Sequence, residues 1–231
     1  MRITANIPRI ALLSLLLMGA QVWAEPSVQE IRQMAEQGQP TAQYHLGMMY
    51  LSGEQGVVKN HQQALKWLTT ADQNGSVGAK YSLGMLYYLG DGVPKDHAKA
   101  FQWFEKAAKQ GHANAQYNLG VMYNRGESVP QNPAKAFDYF KQAAQQGLPK
   151  AEYNLAVLYD KGRGVSQSDQ QAFEWYSKAA QHQDSDAQYN MGLMYLHGQG
   201  TAQNTSMAKK WLQQAAAQGD QEAKAALKNL K

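Results

Sequence analysis

The sequence predicts an all-α solenoid: five helix-turn-helix hairpins in a row, with a half-hairpin helical cap at each end. Three observations carry that prediction. The stretch KYSLGMLYYLGDGVPKDHAKAFQWFEKAAKQG (80–111) is nearly said again as QYNLGVMYNRGESVPQNPAKAFDYFKQAAQQG (116–147). Alanines 42, 79, 115, 151, 187 and 223 stand in one column, at spacings of 37, 36, 36, 36 and 36 residues. Within each copy the apolar positions recur with a helical period, not the alternation of a strand.

The first helix of each copy, helix A, follows from that column. Leu46, Leu83, Leu119, Leu155 and Met191 come four residues after the alanine, and Tyr50, Tyr87, Tyr123, Tyr159 and Tyr195 come eight after. Positions i, i+4 and i+8 make one helical stripe, the face that packs. Gly53, Gly90, Gly126, Gly162 and Gly198 close helix A, where a residue without Cβ turns left-handed easily. Asn60, Asp96, Asn132, Ser168 and Asn204 then recur four residues before the next alanine column of helix B. Each is a good N-cap, worth about 1 kcal/mol. Pro133 follows Asn132 at the first helical position, where its missing N–H is harmless. Helix B runs through Ala100, Phe101, Phe104, Ala107 and Ala108 in the second copy and closes on Gly111. Its small residues allow a close approach to helix A, and its aromatics fill the space beside the next copy.

A single hairpin cannot bury both stripes, so stacking supplies the core. The units predicted are five repeats at 41–77, 78–113, 114–149, 150–185 and 186–220, a capping helix within 25–40 and a lysine-rich capping helix at 221–231. Lys209 stands where helix B carries Phe101, Phe137 and Phe173, as expected where no full repeat follows. Gln183 replaces the glycine that ends helix B elsewhere, so that helix is expected to end differently before repeat five.

Residues 1–24 place Arg2 and Arg9 ahead of an apolar run from Ile10 to Ala20, ending in Val-Trp-Ala. This reads as a secretory signal peptide cleaved after Ala24, too short to span a bilayer. The expectation is therefore a periplasmic or secreted protein with no stable membrane insertion after cleavage. Removing that segment takes away two arginines and no acid, so the net charge falls from +4 to +2. Near-neutral charge without a basic stripe argues against a nucleic-acid partner. There is no cysteine, so packing alone must stabilise an exported chain.

No catalytic pattern emerges. Histidines 45, 61, 97, 112, 182 and 197 contain no pair at the i, i+4 spacing of a helical zinc site and read as solvated. Gly-x-Ser-x-Gly, P-loop and dinucleotide fingerprints are missing, and KGRGVS (161–166) is the repeat's own loop. Asp91 and Asp96 are explained by turn and cap duty. The sequence thus predicts no catalytic residue, no metal and no cofactor.

The pattern A-x-x-x-L-G-x-x-Y, then G-x-G-V, then K-A-x-x-W-x-x-K-A-A-x-x-G, at a 36-residue period, resembles the Sel1-like repeat, a relative of the tetratricopeptide repeat. Gly90-Asp-Gly92-Val93 and Lys99-Ala100 to Gly111 match it almost throughout. Departures are local: Ala156 for the helix glycine, Ser128 for the second loop glycine, Thr201 for its valine and Gln183 for the terminal glycine. Some Sel1-like proteins bind or hydrolyse β-lactams, but that group carries a cysteine pair per repeat, which this chain lacks. A cell-wall-related or β-lactam-hydrolysing enzyme is accordingly an alternative for hydrolysis assays to decide. The resemblance also implies a second alternative, a periplasmic immunity protein neutralising a secreted toxic effector.

By the same resemblance, the face of helix A opposite its packed stripe is the concave, ligand-facing wall, and the main expectation is a protein-interaction module that binds another protein or a peptide there. About 140–240° around the helix from Leu83, that face holds Tyr81, Met85, Tyr88 and Leu89 in repeat two. The residues expected to contact a partner are Tyr44, Tyr81, Met85, Tyr88, Tyr117, Asn118, Arg125, Lys150, Tyr153, Asn154, Lys161, Tyr189 and Asn190. Tyrosine offers flat contact area at low entropy cost. Repeats one and two present apolar groups there, while repeats three and four present Arg125, Lys150 and Lys161, which suits an extended peptide apolar at one end and acidic at the other. The competing reading is that the tyrosines pack on the neighbouring helix A.

Overall fold

The structure, a computed structural model, describes residues 26–230; the signal peptide predicted at 1–24 lies outside them. Among the described residues the chain forms twelve α-helices and no strand. A first half-repeat, α1 (Val28–Glu36), leads into five hairpins: α2 (Pro40–Ser52) with α3 (His61–Gln73), α4 (Val77–Leu89) with α5 (His97–Ala108), α6 (Ala113–Arg125) with α7 (Pro133–Gln145), α8 (Pro149–Lys161) with α9 (Asp169–Gln181), and α10 (Ser185–His197) with α11 (Thr205–Ala217). A last half-repeat, α12 (Gln221–Asn229), completes the row. Each helix packs on its neighbours in sequence, the all-α solenoid that the periodicity predicts.

The columns explain the core. The aligned alanines are all buried, and Leu46, Leu83, Leu119, Leu155 and Met191 are fully enclosed. Each cluster crosses a joint: Phe140, Ala143 and Ala144 of α7 meet Ala151, Leu155 and Leu158 of α8, with Tyr117, Val121 and Tyr123 of α6 beside them. The helix-B aromatics reach forward as expected. Phe101 meets Tyr123 at 5.6 Å, Phe137 meets Tyr159 at 5.2 Å and Phe173 meets Tyr195 at 5.3 Å, all nearly edge-on. A second aromatic column reaches backward: Trp103, Trp175 and Trp211 pack into the cluster of the preceding repeat. Aromatics thus cross the joints in both directions.

The local signals work as written. Asn60, Asp96, Asn132, Ser168 and Asn204 accept hydrogen bonds from the backbone N–H groups of Gln63, Lys99, Lys135, Gln171 and Met207, at 2.9–3.3 Å. In four of the five hairpins the two helices touch where helix A has no side chain. A Cβ placed on Gly84 would stand 2.7 Å from the Phe104 ring, so glycine here sets the spacing of α4 and α5. One expectation is corrected: α9 does not end differently for want of glycine. Gln183 itself turns left-handed, φ 64°, as Gly147 does at φ 76°. The turn is held by the Asp184 N–H donating to Ala179 O at 3.2 Å, and Gln218 Nε2 donates to Gln183 O at 3.1 Å. Ser128 is left-handed for the same reason, φ 63° in a loop position that glycine fills elsewhere.

Two substitutions should therefore move stability in opposite directions. Gln183→Gly is expected to stabilise by about 0.5–1 kcal/mol, and Gly84→Ala to destabilise by about 1–3 kcal/mol through overpacking. Urea denaturation of both variants checks the signs; a stabilising Gly84→Ala would mean that α4 and α5 are not in contact at that point.

Candidate functional site

The wall made by the helix-A row is knitted together from repeat to repeat. Tyr44 of α2 lies against Gly78 of α4, where a Cβ would meet its ring at 3.3 Å. Tyr81 stacks on His112 at 4.5 Å and leans on Phe104 at 5.9 Å. Tyr117 lies 5.7 Å from Phe140, and Tyr153 lies 5.8 Å from Tyr176. The amides one repeat onward lie beside these hydroxyls: Asn118 near Tyr81, Asn154 near Tyr117 and Asn190 near Tyr153. A parallel rung lies beneath, where Ser82 Oγ donates to Met48 Sδ and Asn118 Nδ2 donates to Met85 Sδ, both at 3.5 Å. The 36-residue register thus brings two sequence columns side by side along the wall.

The expected contact residues fall into three groups. Arg125, Lys150 and Lys161 are exposed. Tyr44, Tyr81, Tyr88, Tyr153, Asn154, Tyr189 and Asn190 are half-buried, each with an edge at the surface. Tyr117, Met85 and Asn118 are interior, at 8%, 9% and 6% exposure, which corrects the expectation that they stand open on the wall. The next helix A covers them. Asn154 and Asn190 also donate to the carbonyls of Lys150 and Asp186 in their own helices, at 2.6 and 2.9 Å.

The family model of the Sel1 repeat matches the chain five times, at residues 40–75, 77–112, 113–148, 149–184 and 185–220. The chain belongs to the Sel1 repeat family. Among solved structures, a protective antigen present in uropathogenic Escherichia coli strains and displaying an SLR fold is 35% identical, with a TM-score of 0.84 over 89% of this chain. This chain spans 44% of that protein's length, less than half. A Sel1 repeat protein from Oxalobacter formigenes is 29% identical, with a TM-score of 0.76, over 87% of this chain and 80% of that one. An immunity protein from Pseudomonas aeruginosa shares the fold at 20% identity and a TM-score of 0.50, over 82% of this chain and 72% of its own. No curated protein matches the sequence.

Several polar groups of this Sel1 repeat array are tied where sequence reasoning left them free. His97 Nδ1 lies 2.6 Å from Glu127 Oε1, the Tyr88 hydroxyl donates to Glu127 Oε2 at 3.1 Å, and the Tyr88 and His97 rings stack at 4.7 Å. One repeat earlier His61 Nε2 lies 2.7 Å from Asp91 Oδ1. These two histidines are therefore structural partners rather than solvated groups. The signal lay in the register: both histidines open helix B, and both acids come 30 residues later, just past the next helix-A glycine. His112 caps α6, its Nδ1 accepting from the Ala115 N–H at 3.3 Å, and burial holds its pKa below the usual histidine value.

Charge along the wall is more mixed than the basic residues alone imply. Lys161 pairs with Asp160 at 2.8 Å. The Tyr153 hydroxyl is pushed up to about 12, chiefly by burial and then by Asp186, Asp184 and Asp160. Lys150 faces Asp184, whose own carboxyl burial raises. Arg125 differs: it makes no ion pair among the described residues and stands near the hydroxyls of Tyr88 and Tyr117.

Interior placement changes what Tyr117 should do. Tyr117→Ala is expected to cost about 3–5 kcal/mol, as large-to-small core changes do. Tyr117→Phe keeps the ring against Phe140 and loses only the hydroxyl, about 1 kcal/mol. Equilibrium unfolding of the pair tests this, and an alanine variant as stable as the phenylalanine one would return Tyr117 to the surface.

Proposed function

We propose that this protein is an exported interaction module whose helix-A wall holds an extended segment of a partner protein, apolar toward repeats one and two and acidic where it crosses repeats three and four. The observation that carries the reading is the setting of Arg125. It is an exposed cation with no ion pair among the described residues, near the hydroxyls of Tyr88 and Tyr117 and following a repeat whose equivalent position is Leu89, 46% exposed. A folded array gains little from either group. A bound segment gains a carboxylate contact at one and apolar burial at the other. The half-buried edges of Tyr81, Tyr88 and Tyr153 supply flat surface between them.

Lys150 and Lys161 extend the positive stretch, with Asp160 and Asp184 limiting which acidic patterns fit. The reading needs no catalytic group, metal or cofactor. Among the described residues no helix is long and apolar enough to cross a membrane, and no group of His, Asp and Glu side chains is suited to hold a metal ion.

Capture from envelope extract, with mass spectrometry, identifies the partner, and anisotropy with its peptides measures the contact. Arg125→Glu combined with Lys161→Glu should weaken binding about tenfold or more, a loss of about 1.4 kcal/mol per decade, with an unchanged melting point. The wild-type affinity should fall with added salt. Affinity indifferent to both the double charge reversal and salt would reject the acidic segment.

A further inference from the structure

One position lets the joints of the array be compared with each other. The residue after the aligned alanine sits where helix A meets the end of the preceding helix B. At three joints it is glutamine, and the geometry is the same each time. Gln43, Gln116 and Gln188 donate Nε2 to the carbonyls of Ala35, Ala108 and Ala180, at 3.0, 3.4 and 3.4 Å. Their Oε1 atoms accept from Asn74, Gln146 and Gln218, at the end of their own helix B, at 2.8, 2.7 and 2.8 Å. Each glutamine therefore clasps two helix ends, using its donor on one and its acceptor on the other. At the α3–α4 joint Lys80 takes the position and pairs with Asp72 of α3 at 3.1 Å.

At the joint between repeats three and four the residue is Glu152, and the clasp is incomplete. Glu152 is 3% exposed, yet its Oε2 has no hydrogen-bond partner. The residue at the end of its own helix B is His182, whose Nε2 is 3.8 Å from that oxygen, too far for a hydrogen bond. The carbonyl equivalent to those of Ala35, Ala108 and Ala180 belongs to Ala144, eight residues back, and an ionised carboxylate has no hydrogen to offer it. The charged groups that face Glu152 are His182 and Lys178, both from α9. From α7 it meets the carboxyl end of a helix, which carries partial negative charge, while its own place in the first turn of α8 favours a negative side chain.

We propose that this joint is controlled by a proton: protonated Glu152 donates its O–H across the seam as glutamine donates its N–H elsewhere, and the seam between α7 and α8 tightens. In the ionised form the seam holds a buried carboxylate with no hydrogen to give the α7 end and no hydrogen bond from His182, and repeats one to three are joined less firmly to repeats four and five. Burial raises the Glu152 carboxyl above the ordinary carboxylate range, with His182 and then Lys178 pulling it down. A carboxyl with a raised folded value contributes stability that is full below its unfolded value and is lost as pH climbs through the raised one. Acidification from neutral pH should therefore strengthen this joint.

The test is thermal melting of the full chain and of Glu152→Gln at pH 7.5 and pH 5. The variant has the clasp at both values, so it should melt about 2–4 °C above wild type at pH 7.5 and by less at pH 5. Effects of other carboxylates are common to both proteins and leave the difference untouched. His182→Ala, which offers Glu152 no new donor, should keep a pH response of the same sign; its disappearance would show that histidine titrates instead and would overturn the proposal. Hydrogen exchange of the wild type gives a reading that needs no variant. Corrected for intrinsic rates, amides in the first turn of α8 should gain protection at pH 5 relative to those of α6 and α10. A Glu152→Gln melting point no higher than wild type at pH 7.5, an equal difference at both pH values, or unchanged relative protection each rules the proton-controlled joint out.

Discussion

Everything in this molecule depends on burial across the joint between one repeat's helix B and the next repeat's helix A. A hairpin has two apolar stripes and can cover only one within itself. The second is covered by the neighbour, where a fully enclosed leucine of the aligned column contributes about 1.5–3 kcal/mol. With no cysteine in the chain, no covalent link supplements that term. Aromatics strengthen it in both directions, Phe101, Phe137 and Phe173 forward and Trp103, Trp175 and Trp211 backward. The stacking also fixes the register, and the register creates the wall: Asn118 reaches Met85 only because α4 and α6 lie one repeat apart with their equivalent faces aligned.

Nearly all of the fold was legible in the sequence, because its determinants are local and repeat five times. A cap, a left-handed turn or an i, i+4 stripe depends on neighbours within one helix or one loop. The wall was only half legible for the complementary reason. Counting angles around one helix gives the direction in which Tyr117 points, but not how closely the next helix A follows. That spacing is set by small side chains such as Gly78, which meets the Tyr44 ring of the preceding helix A. Met85 and Asn118 are interior for the same reason. The pairs His61–Asp91 and His97–Glu127 were hidden because each joins two different columns, each with its own local explanation. Gln183 shows the opposite failure. The conflict was visible, but the expected escape did not occur, since the turn's backbone bonds outweigh a strain of about 1 kcal/mol.

Several departures from the repeat's regularity gather on one edge. Glu152 opens α8, and His182, Gln183 and Asp184 make the turn between α9 and α10, all on the edge of the array where helix A begins and helix B ends. Arg125 and Lys161 stand at the opposite edge, in the last turns of α6 and α8. There the carboxyl ends of the helices favour positive charge, so these cations cost the scaffold little. The two edges therefore differ in kind: exposed cations at one, and at the other the buried Glu152 beside an irregular turn, where a change alters how repeats join.

Those edges are coupled by the architecture itself. In a row whose stability is a sum of nearest-neighbour terms, weakening one joint loosens the relation between the blocks on either side and leaves each block's interior intact. Arg125 belongs to repeat three and Lys161 to repeat four, so a segment gripping both spans the joint that holds Glu152. Anything that fastens the two sides favours the closed joint, whether it is a ligand on the wall or a proton at the seam. Linkage then requires each to strengthen the other by the same factor. The wall and the seam need no contact to communicate; they need only share α8, which carries Lys161 at one end and Glu152 at the other.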